Sequence, residues 1–353
     1  MHYFKDKYIL FFVAALTIFF FSTAKVLAKS FQINDIEISK PFENNFDKNK
    51  VIDIGFKNAF SELMQILLKS SDYEKMNKIR LNEIKSMVES FSIKEEKFID
   101  EIYYLNLNVS FNKKKIFNLL EKKNIFPSLP IKKNIFFIPI IIDEDKDEIL
   151  MFSENYLFNN WNLNKKKYHL LNYILPTEDL EDFNLVKSKS KNLENYDFQE
   201  IINKYNLEDY IIMIIFKNNQ EIKIINKINF NKTMDLKNLK FKNLKFNNDK
   251  VINEFIENFK TLYENYWKIK NEINTSVKLP LIVSVDNKEN SKISKFEKKL
   301  ANIDLIYDFY ILKFNNKNNI YKIIFNGSPD KFLKIMNKNN YEFDIQNQIW
   351  ALR

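Results

Sequence analysis

The first third of the chain combines two hydrophobic periods, which predict a small module of strands and helices. Period-two alternation is typical of half-buried strands, whereas apolar residues three and four positions apart are typical of helices that pack on one face. The predicted strands are residues 31–38, 93–99 and 101–111, and the predicted helices are residues 51–68, 78–90 and 113–122. The order is therefore β-α-α-β-β-α over residues 29–126. Pro127 and Pro130 end this N-terminal module, since proline interrupts regular structure.

The middle of the chain opens with a stretch that is apolar on both faces. Residues 135–142 predict a central strand with cover on each side. Residues 148–152 are expected to pair back on it as a hairpin, across an acidic turn at 143–147. Further predicted strands are residues 168–175, 210–216 and 221–230, and the predicted helices are residues 198–205 and 251–273. These segments indicate a mixed-sheet α/β module over residues 131–274.

The last part of the chain, residues 276–353, predicts the order β-α-β-β-α-β. The predicted strands are residues 277–285, 304–314, 321–325 and 343–352, and the predicted helices are residues 291–301 and 330–337. This order is typical of ferredoxin-like folds. Ser328 is expected to cap the second helix, with Pro329 at its first position. The predicted fold class is therefore mixed α/β (α+β), in three small modules.

Composition limits what the net charge can mean. The 353 residues include only two glycines and no cysteine, and Lys, Asn, Ile and Phe are heavily used. These four residues have codons rich in A and T, so a biased genome accounts for them. We therefore discount the net charge of +9 as evidence for an anionic partner, and we predict no binding to nucleic acid.

The N-terminus has the pattern of a secretory signal peptide over residues 1–28. Two lysines precede the apolar run 9–21, and the small residues Val26 and Ala28 predict cleavage before Lys29. The run is shorter than the ~20 residues that usually span a bilayer. Export without cysteine suits a bacterial periplasm, where folding need not rely on disulfides. The alternative is an uncleaved segment that anchors the protein in the inner membrane.

The supply of reactive residues excludes most classes of catalytic site. Once residues 1–28 are removed, His169 is the only histidine, and in a predicted strand it is expected to be a packed or surface residue. Ser-His-Asp and histidine-rich zinc sites need a histidine among matched partners, and thiolate sites need cysteine. Phosphate-binding loops need glycines that this chain lacks. We therefore assign no catalytic residue, no metal and no cofactor from the sequence.

Two acidic stretches remain as candidates for chemistry. Asp143, Asp145 and Asp147 have the alternating spacing of a calcium loop, but Glu148 replaces the glycine that such a loop needs at its sixth position. A solvated hairpin turn is favoured there. The stretch 178–182 could supply a pair of carboxylates for glycoside cleavage. Its favoured alternative is a helix start, where the helix dipole attracts acidic residues.

The basic stretch 227–250 holds a near-repeat of Asn-Leu-Lys-Phe at residues 238–241 and 243–246. Lysines interleaved with Leu and Phe suit weak contact with an anionic membrane surface. The favoured alternative is an edge strand or loop whose lysines prevent pairing with other chains.

Short motifs in the middle module carry a resemblance to a known family. They are Asn-Asn-Trp at 159–161, Asp-Leu-Glu-Asp at 179–182 and the Tyr-Asn-Leu-Glu-Asp-Tyr that starts at Tyr205. In this order they resemble the alphaproteobacterial type of a bacterial periplasmic family called domain of unknown function 2066. Asn160 stands where that family has proline, and Asn206 stands where it has glycine, at a position that favours a left-handed cap.

The resemblance implies a signal peptide, a periplasmic or envelope-associated location and no established activity. It also implies that the central module is similar to the N-terminal domain of the Tol-Pal protein TolB and to lipoprotein activators of cell-wall synthases. Fold similarity of this kind does not transmit function, and the family supplies no catalytic residues.

We therefore predict an exported, non-enzymatic binding or scaffold protein of the periplasm, with another envelope protein as its partner. The most distinctive surface candidates, either for packing or for contact with that partner, are Trp161, Asp179, Glu181 and Asp182. One alternative is a glycan-acting enzyme that uses carboxylates of the two acidic stretches. The other is peripheral membrane binding through residues 227–250.

Overall fold

The computed structural model describes residues 31–353 except Asn77, Glu289 and Asn315. Over this part the chain is mixed α/β, with three sheets that each carry their own helices, as the sequence predicts. The predicted signal peptide and the alternative of an uncleaved anchor lie outside the described residues. Within the described ranges, no helix has both the length and the apolar composition that crossing a bilayer requires.

The N-terminal sheet is antiparallel and packs against one long helix. Its module consists of β1 (Gln32–Pro41), α1 (Lys48–Leu67), α2 (Ser70–Tyr73), α3 (Leu81–Met87), β2 (Val88–Ile99), β3 (Ile102–Phe111) and α4 (Lys113–Lys122). The strand order is β1-β3-β2. This is the predicted order with one short helix added after α1. The helix predicted to reach residue 90 ends at Met87, because Val88 already pairs with Phe111 across the sheet.

Two local features fix α1 in place. The Asp47 side chain caps it by accepting a hydrogen bond from the backbone N–H of Asn49. A β-carbon added at Gly55 would lie 2.5 Å from Cδ1 of Leu107 on β3. Any larger residue at this position would therefore have to displace the Leu107 side chain.

The central sheet is mixed, with parallel and antiparallel pairs. Its strands are β4 (Lys133–Asp143), β5 (Glu148–Leu150), β6 (Leu171–Ile174), β7 (Tyr210–Lys217), β8 (Glu221–Phe230) and β9 (Thr233–Lys242). Its helices are α5 (Tyr156–Asn160), α6 (Leu180–Ser188), α7 (Gln199–Asn203) and α8 (Asp249–Lys270). The order is β5-β4-β7-β8-β9, with β6 also on β4, and β4 runs parallel to both β6 and β7.

The first central strand, β4, is buried on both faces, as its apolar run predicts. Ile135, Phe137 and Ile141 pack in one cluster with residues of α8. Phe136 and Ile138 pack in a second cluster with residues of α6 and α7. The central sheet therefore has helical cover on each side.

Two central elements are shorter than predicted. The strand expected over 168–175 is confined to β6, because a turn precedes it, in which the backbone N–H of His169 donates to the Lys166 carbonyl at 3.2 Å. The helix expected over 198–205 is only Gln199–Asn203. The predicted hairpin is confirmed, since β4 and β5 pair antiparallel across the acidic turn.

The C-terminal module follows the predicted order up to its last strand. Its elements are β10 (Leu279–Asp286), α9 (Asn290–Ala301), β11 (Ile306–Phe314), β12 (Asn318–Phe325), α10 (Pro329–Lys338), β13 (Phe343–Asp344) and β14 (Trp350–Leu352). The strand order is β11-β12-β10-β14-β13. Ser328 caps α10 by accepting a hydrogen bond from the backbone N–H of Lys331, and Pro329 is its first residue, as predicted.

The single final strand predicted over 343–352 is wrong. The Asp344 side chain accepts a hydrogen bond of 3.1 Å from the backbone N–H of Gln346, which starts a turn. The chain then reverses, so that β13 and β14 pair antiparallel, and β14 lies parallel beside β10. The module therefore departs from the ferredoxin-like order in its last strand only.

The N-terminal and C-terminal sheets share one continuous hydrophobic core. Polar contacts reinforce it: Lys113 donates from Nζ to the Ile303 carbonyl at 3.1 Å, and the Tyr307 hydroxyl donates to Asn118 Oδ1 at 2.8 Å. The segments before and after the central module also meet, because the backbone N–H of Ile273 donates to the carbonyl of Pro127 at 2.8 Å. The central module is thus inserted between two parts of the chain that pack together.

Candidate functional site

The acidic stretch 178–182 begins α6, as its favoured alternative predicts. Asp179 caps the helix, with its Oδ1 accepting hydrogen bonds from the backbone N–H groups of Glu181 at 2.8 Å and Asp182 at 3.5 Å. The Asp182 side chain points inward and is 1% exposed. The Glu181 side chain remains largely in solvent. The cluster is therefore a helix start, and its members differ sharply in burial.

One lysine, immediately after the C-terminal end of α7, forms ion pairs with these carboxylates. Lys204 Nζ lies 2.6 Å from Asp182 Oδ1 and 3.0 Å from Asp179 Oδ2. Its hydrogen bonds hold the pKa of Asp179 below its usual value, and the two carboxylates raise the pKa of Lys204. A glycosidase needs two carboxylates on either side of a sugar bond. Here an ammonium group occupies the space between them, so the arrangement fastens α6 to the end of α7.

Trp161 is a core residue, and its prediction as a surface candidate is wrong. Its side chain is fully buried and stacks on Phe137 of β4, with ring centroids 4.0 Å apart. Tyr173 meets its edge at 5.5 Å. Of the two roles considered for this residue, packing and partner contact, the structure shows packing. A large aromatic side chain stabilises the fold most when it is buried. The rarity of tryptophan in the chain therefore does not predict that Trp161 is exposed.

The carboxylates of the β4–β5 hairpin form a turn and one buried ion pair. Asp143 is 2% exposed, and Lys217 Nζ lies 2.7 Å from its Oδ2. Burial alone raises the pKa of Asp143, but the hydrogen bond and charge of Lys217 outweigh it and lower the value. Asp143 and Lys217 pair at the ends of the parallel strands β4 and β7. In the described residues, no group of three or more potential metal-binding side chains converges here or elsewhere.

A row of charged side chains on α8 is buried, and the sequence analysis missed it. Lys260, Glu264 and Lys268 follow at intervals of four residues, and they are only 2%, 4% and 6% exposed. Residues four apart share one face of a helix. Charged residues at this spacing, within a stripe of otherwise apolar residues, are the sequence pattern that predicts buried charges on a helix.

Each member of the row binds backbone groups of another segment. Glu264 Oε1 accepts hydrogen bonds from the backbone N–H groups of Leu170 at 2.9 Å and Leu171 at 2.8 Å. Lys268 donates to the carbonyls of Gln65 and Leu68 at the end of α1, the latter at 2.9 Å. Lys260 Nζ donates to the carbonyl of Asn164 at 2.8 Å. The row therefore joins the central helix to the N-terminal module and to the segment before β6.

Burial governs protonation in and around this row. It lowers the pKa of Lys268 to about 8, against the attraction of Glu264, and it raises the pKa of Glu264 itself. His169 lies next to the row. Burial, followed by the charges of Lys260 and Lys268, lowers the pKa of His169 to about 4. His169 is thus a packed, neutral imidazole, which is one of the two roles predicted for it.

The basic stretch 227–250 forms the edge of the central sheet, as its favoured alternative predicts. Its core is β9, which pairs only with β8 among the described strands. The Leu and Phe residues of the near-repeat pack partly against the α8 cluster; they are Leu239, Phe241, Leu244 and Phe246. Lys240 and Lys242, by contrast, are exposed. The interleaved apolar residues therefore serve the core rather than an outer surface.

An open groove beside α8 is polar along its whole lining. Its volume is about 820 Å³, and its lining includes Asn164, Lys166, Asn253, Glu254 and Glu257. Pockets for small molecules are mostly apolar, with a few placed polar groups. This groove does not have that character.

No protein-family model matches the chain, and no curated protein sequence matches it. The family resemblance carried by the short motifs therefore stays a prediction. In the structure the motif residues hold the fold: Tyr205 stacks on Phe136 at 4.7 Å, and Asn206 has the left-handed φ of 51° that the sequence predicts. Asp209 is buried and accepts a hydrogen bond of 2.7 Å from the backbone N–H of Asn231.

The most exposed apolar stretch that we identify lies on β11. Tyr310 and Ile311 are each 45% exposed, Leu312 is 55% exposed and Phe314 is 77% exposed. β11 is the end strand of the C-terminal sheet. Exposed apolar residues that are contiguous, rather than scattered, mark interaction surfaces. No pattern in the sequence distinguishes this stretch, because strand periodicity predicts a strand without showing whether that strand ends the sheet.

Proposed function

We propose that this chain is a non-enzymatic binding protein of the bacterial envelope, exported to the periplasm, whose partner is another envelope protein. The observation that carries the proposal is the apolar end strand β11, where Leu312 and Phe314 are more than half exposed. Leaving such side chains in water forgoes the free energy that burial would provide. A partner that covers β11 accounts for their position.

Reactive groups that an enzyme could use are engaged in the fold, which favours binding over catalysis. Asp182 and Asp143 each pair with a lysine, and Glu264 accepts two backbone hydrogen bonds. The glycan-acting alternative needs free carboxylates across a cleft, and Lys204 lies between the best candidates. The alternative of membrane binding through 227–250 is weakened, because the Leu and Phe residues of its near-repeat pack partly against the core.

The location rests on the N-terminal pattern of charged, apolar and small residues over 1–28. Cleavage before Lys29 would release the protein into the periplasm, and retention of the segment would anchor it in the inner membrane. Mass spectrometry of the mature N-terminus separates the two, since an intact Met1 contradicts cleavage.

Photo-crosslinking in intact bacteria tests the binding function. A photoreactive residue is placed at Phe314 in one variant and at Leu236 in another, where Leu236 is a matched control that is 66% exposed on β9. We expect a discrete adduct with another protein from position 314 and none from position 236. Monomer alone at both positions, under conditions that trap known envelope complexes, would contradict the proposal.

A further inference from the structure

We infer that β11 receives an extended, acidic strand of the partner, which adds to the C-terminal sheet beyond β11. The inference rests on the proposed binding function and names the chemistry of the partner segment. It concerns β11 alone and follows from its edge, its apolar side chains and its charge.

The edge of β11 supplies the hydrogen-bonding geometry. β11 pairs with β12 on one side, and in the described part of the chain no strand lies on its other side. An end strand presents backbone N–H and C=O groups along that free side, which is the template for strand addition. A bulge between Ile311 and Lys313 interrupts the ladder, so the added strand would be short.

Two other long edge strands, β2 and β9, also expose apolar side chains. In the second half of β9, the exposed Lys240 and Lys242 alternate with the inward-packing Leu239 and Phe241, and such lysines hinder pairing with another chain. On β2, the exposed Phe91 and Phe98 lie against neighbouring rings, with centroid distances of 5.1 Å to Phe56 and 4.9 Å to Phe42. β11 has one lysine within its apolar run, between Leu312 and Phe314. Of the apolar side chains on these three edges, Phe314 of β11 is the most exposed, at 77%.

Charge identifies the kind of strand that fits. Between Ile306 and Phe325 the sequence has three lysines and a single acidic residue, Asp308. That aspartate already pairs with Lys114 of the N-terminal module. Lys313 and Lys322 leave this hairpin positively charged, so an acidic strand is attracted and a basic one is repelled.

A strand explains the surface better than a lipid bilayer does. Apolar side chains beside lysines also suit an anionic membrane. However, lipid cannot accept or donate hydrogen bonds to a free strand edge, and burying that edge in a bilayer is costly. A polypeptide strand satisfies the backbone and covers the side chains together.

Peptide binding to the full mature chain tests this inference. The probe is a fluorescent peptide of alternating valine and glutamate, about ten residues long, and the comparison peptide has lysine for glutamate. The test variant is Leu312→Thr with Phe314→Thr, which keeps strand propensity. The control is Leu236→Thr on β9, which is matched in exposure. All variants are first checked for an unchanged thermal midpoint.

We expect saturable binding of the acidic peptide that is at least about tenfold tighter than that of the basic peptide and weakens as salt rises. The double variant should lose about tenfold in affinity, and the control should change by less than about twofold. Absence of saturable binding, equal binding of both peptides, or no effect of the double variant would overturn the inference.

Two further measurements distinguish other occupants. The first is co-sedimentation with vesicles of phosphatidylglycerol and phosphatidylcholine. If the protein co-sediments and the double variant does not, the occupant of β11 is a membrane surface and not a strand. The second is sedimentation velocity. If the protein self-associates and the double variant does not, the occupant of β11 is a second copy of this chain. If the peptide fails while position 314 still crosslinks in cells, the binding function stands and only the strand chemistry is wrong.

Discussion

Trp161 and Phe137 stack with ring centroids 4.0 Å apart and ring planes inclined by 28°, at the centre of the largest aromatic group in the central module. Tyr173 and Tyr263 lie around the pair, with centroids 5.5 Å and 6.2 Å from the indole. All four belong to the cluster between β4 and α8. The contact joins the first strand of the sheet to the segment that follows α5.

Replacing Trp161 with alanine should lower the free energy of unfolding by about 3–5 kcal/mol, because the cavity would lie in a packed core. Urea unfolding of residues 29–353 measures the effect. The control is Leu180→Ala, since Leu180 is 74% exposed and should change stability by less than about 0.5 kcal/mol. A loss below about 1 kcal/mol at Trp161 would mean that the side chain is not packed as described.

Lys204→Met should destabilise the central module and lower its urea midpoint of unfolding, because it leaves the buried Asp182 carboxylate without its cation. The lysine is partly exposed, so solvent reduces the effect below that of a fully buried pair. Lys191→Met, at an exposed lysine beyond α6, is the control and should be nearly neutral. Equal stability of the two variants would show that the bridge contributes nothing.

His169 should make stability depend on pH in a defined direction. Its pKa is about 4 in the folded chain, against an ordinary value of 6.5 for histidine, so the folded state binds fewer protons between these values. The contribution is fully present above pH 6.5 and is lost as pH falls towards 4. The shift corresponds to about 3 kcal/mol at most.

The measurement compares urea unfolding of the wild type and His169→Gln at about pH 7 and about pH 4. The wild type should lose more stability on acidification than the variant, since carboxylates titrate equally in both. Parallel profiles would indicate that the imidazole is not desolvated in the folded chain.

Lys268→Met should cost about 1–3 kcal/mol, because the carbonyls of Gln65 and Leu68 lose their donor while remaining at the junction of two modules. Lys270→Met is the matched control on the same helix. Lys270 pairs with Asp235 near the surface, and such pairs contribute up to about 1 kcal/mol. Lys268→Met should therefore have a lower urea midpoint of unfolding than Lys270→Met. Equal midpoints would show that the hydrogen bonds from Lys268 to the end of α1 are dispensable.

Periodicity was sufficient for most of the fold. Alternation placed β3, and the continuous apolar run placed β4 in the middle of its sheet, because these patterns report burial directly. Asn206 was identified as a left-handed residue from its chemistry alone. Sequence patterns therefore predict structure where its physical cause lies within a few residues along the chain.

The candidate site depended on contacts between distant segments, which local patterns do not encode. Asp182 is recognisable as a helix-start acid, but its cation Lys204 is 22 residues away in sequence. Glu264 binds backbone groups more than 90 residues earlier. The exposure of Phe314 likewise follows from the position of β11 at the end of its sheet, which is a property of topology.

The core shared by the first and last sheets imposes an order on folding. The N-terminal module precedes Leu281 and Val283, which complete its packing, by roughly 150 residues along the chain. Its core stays unfinished until those residues have joined it. A truncation after the central module would leave this core unfinished permanently.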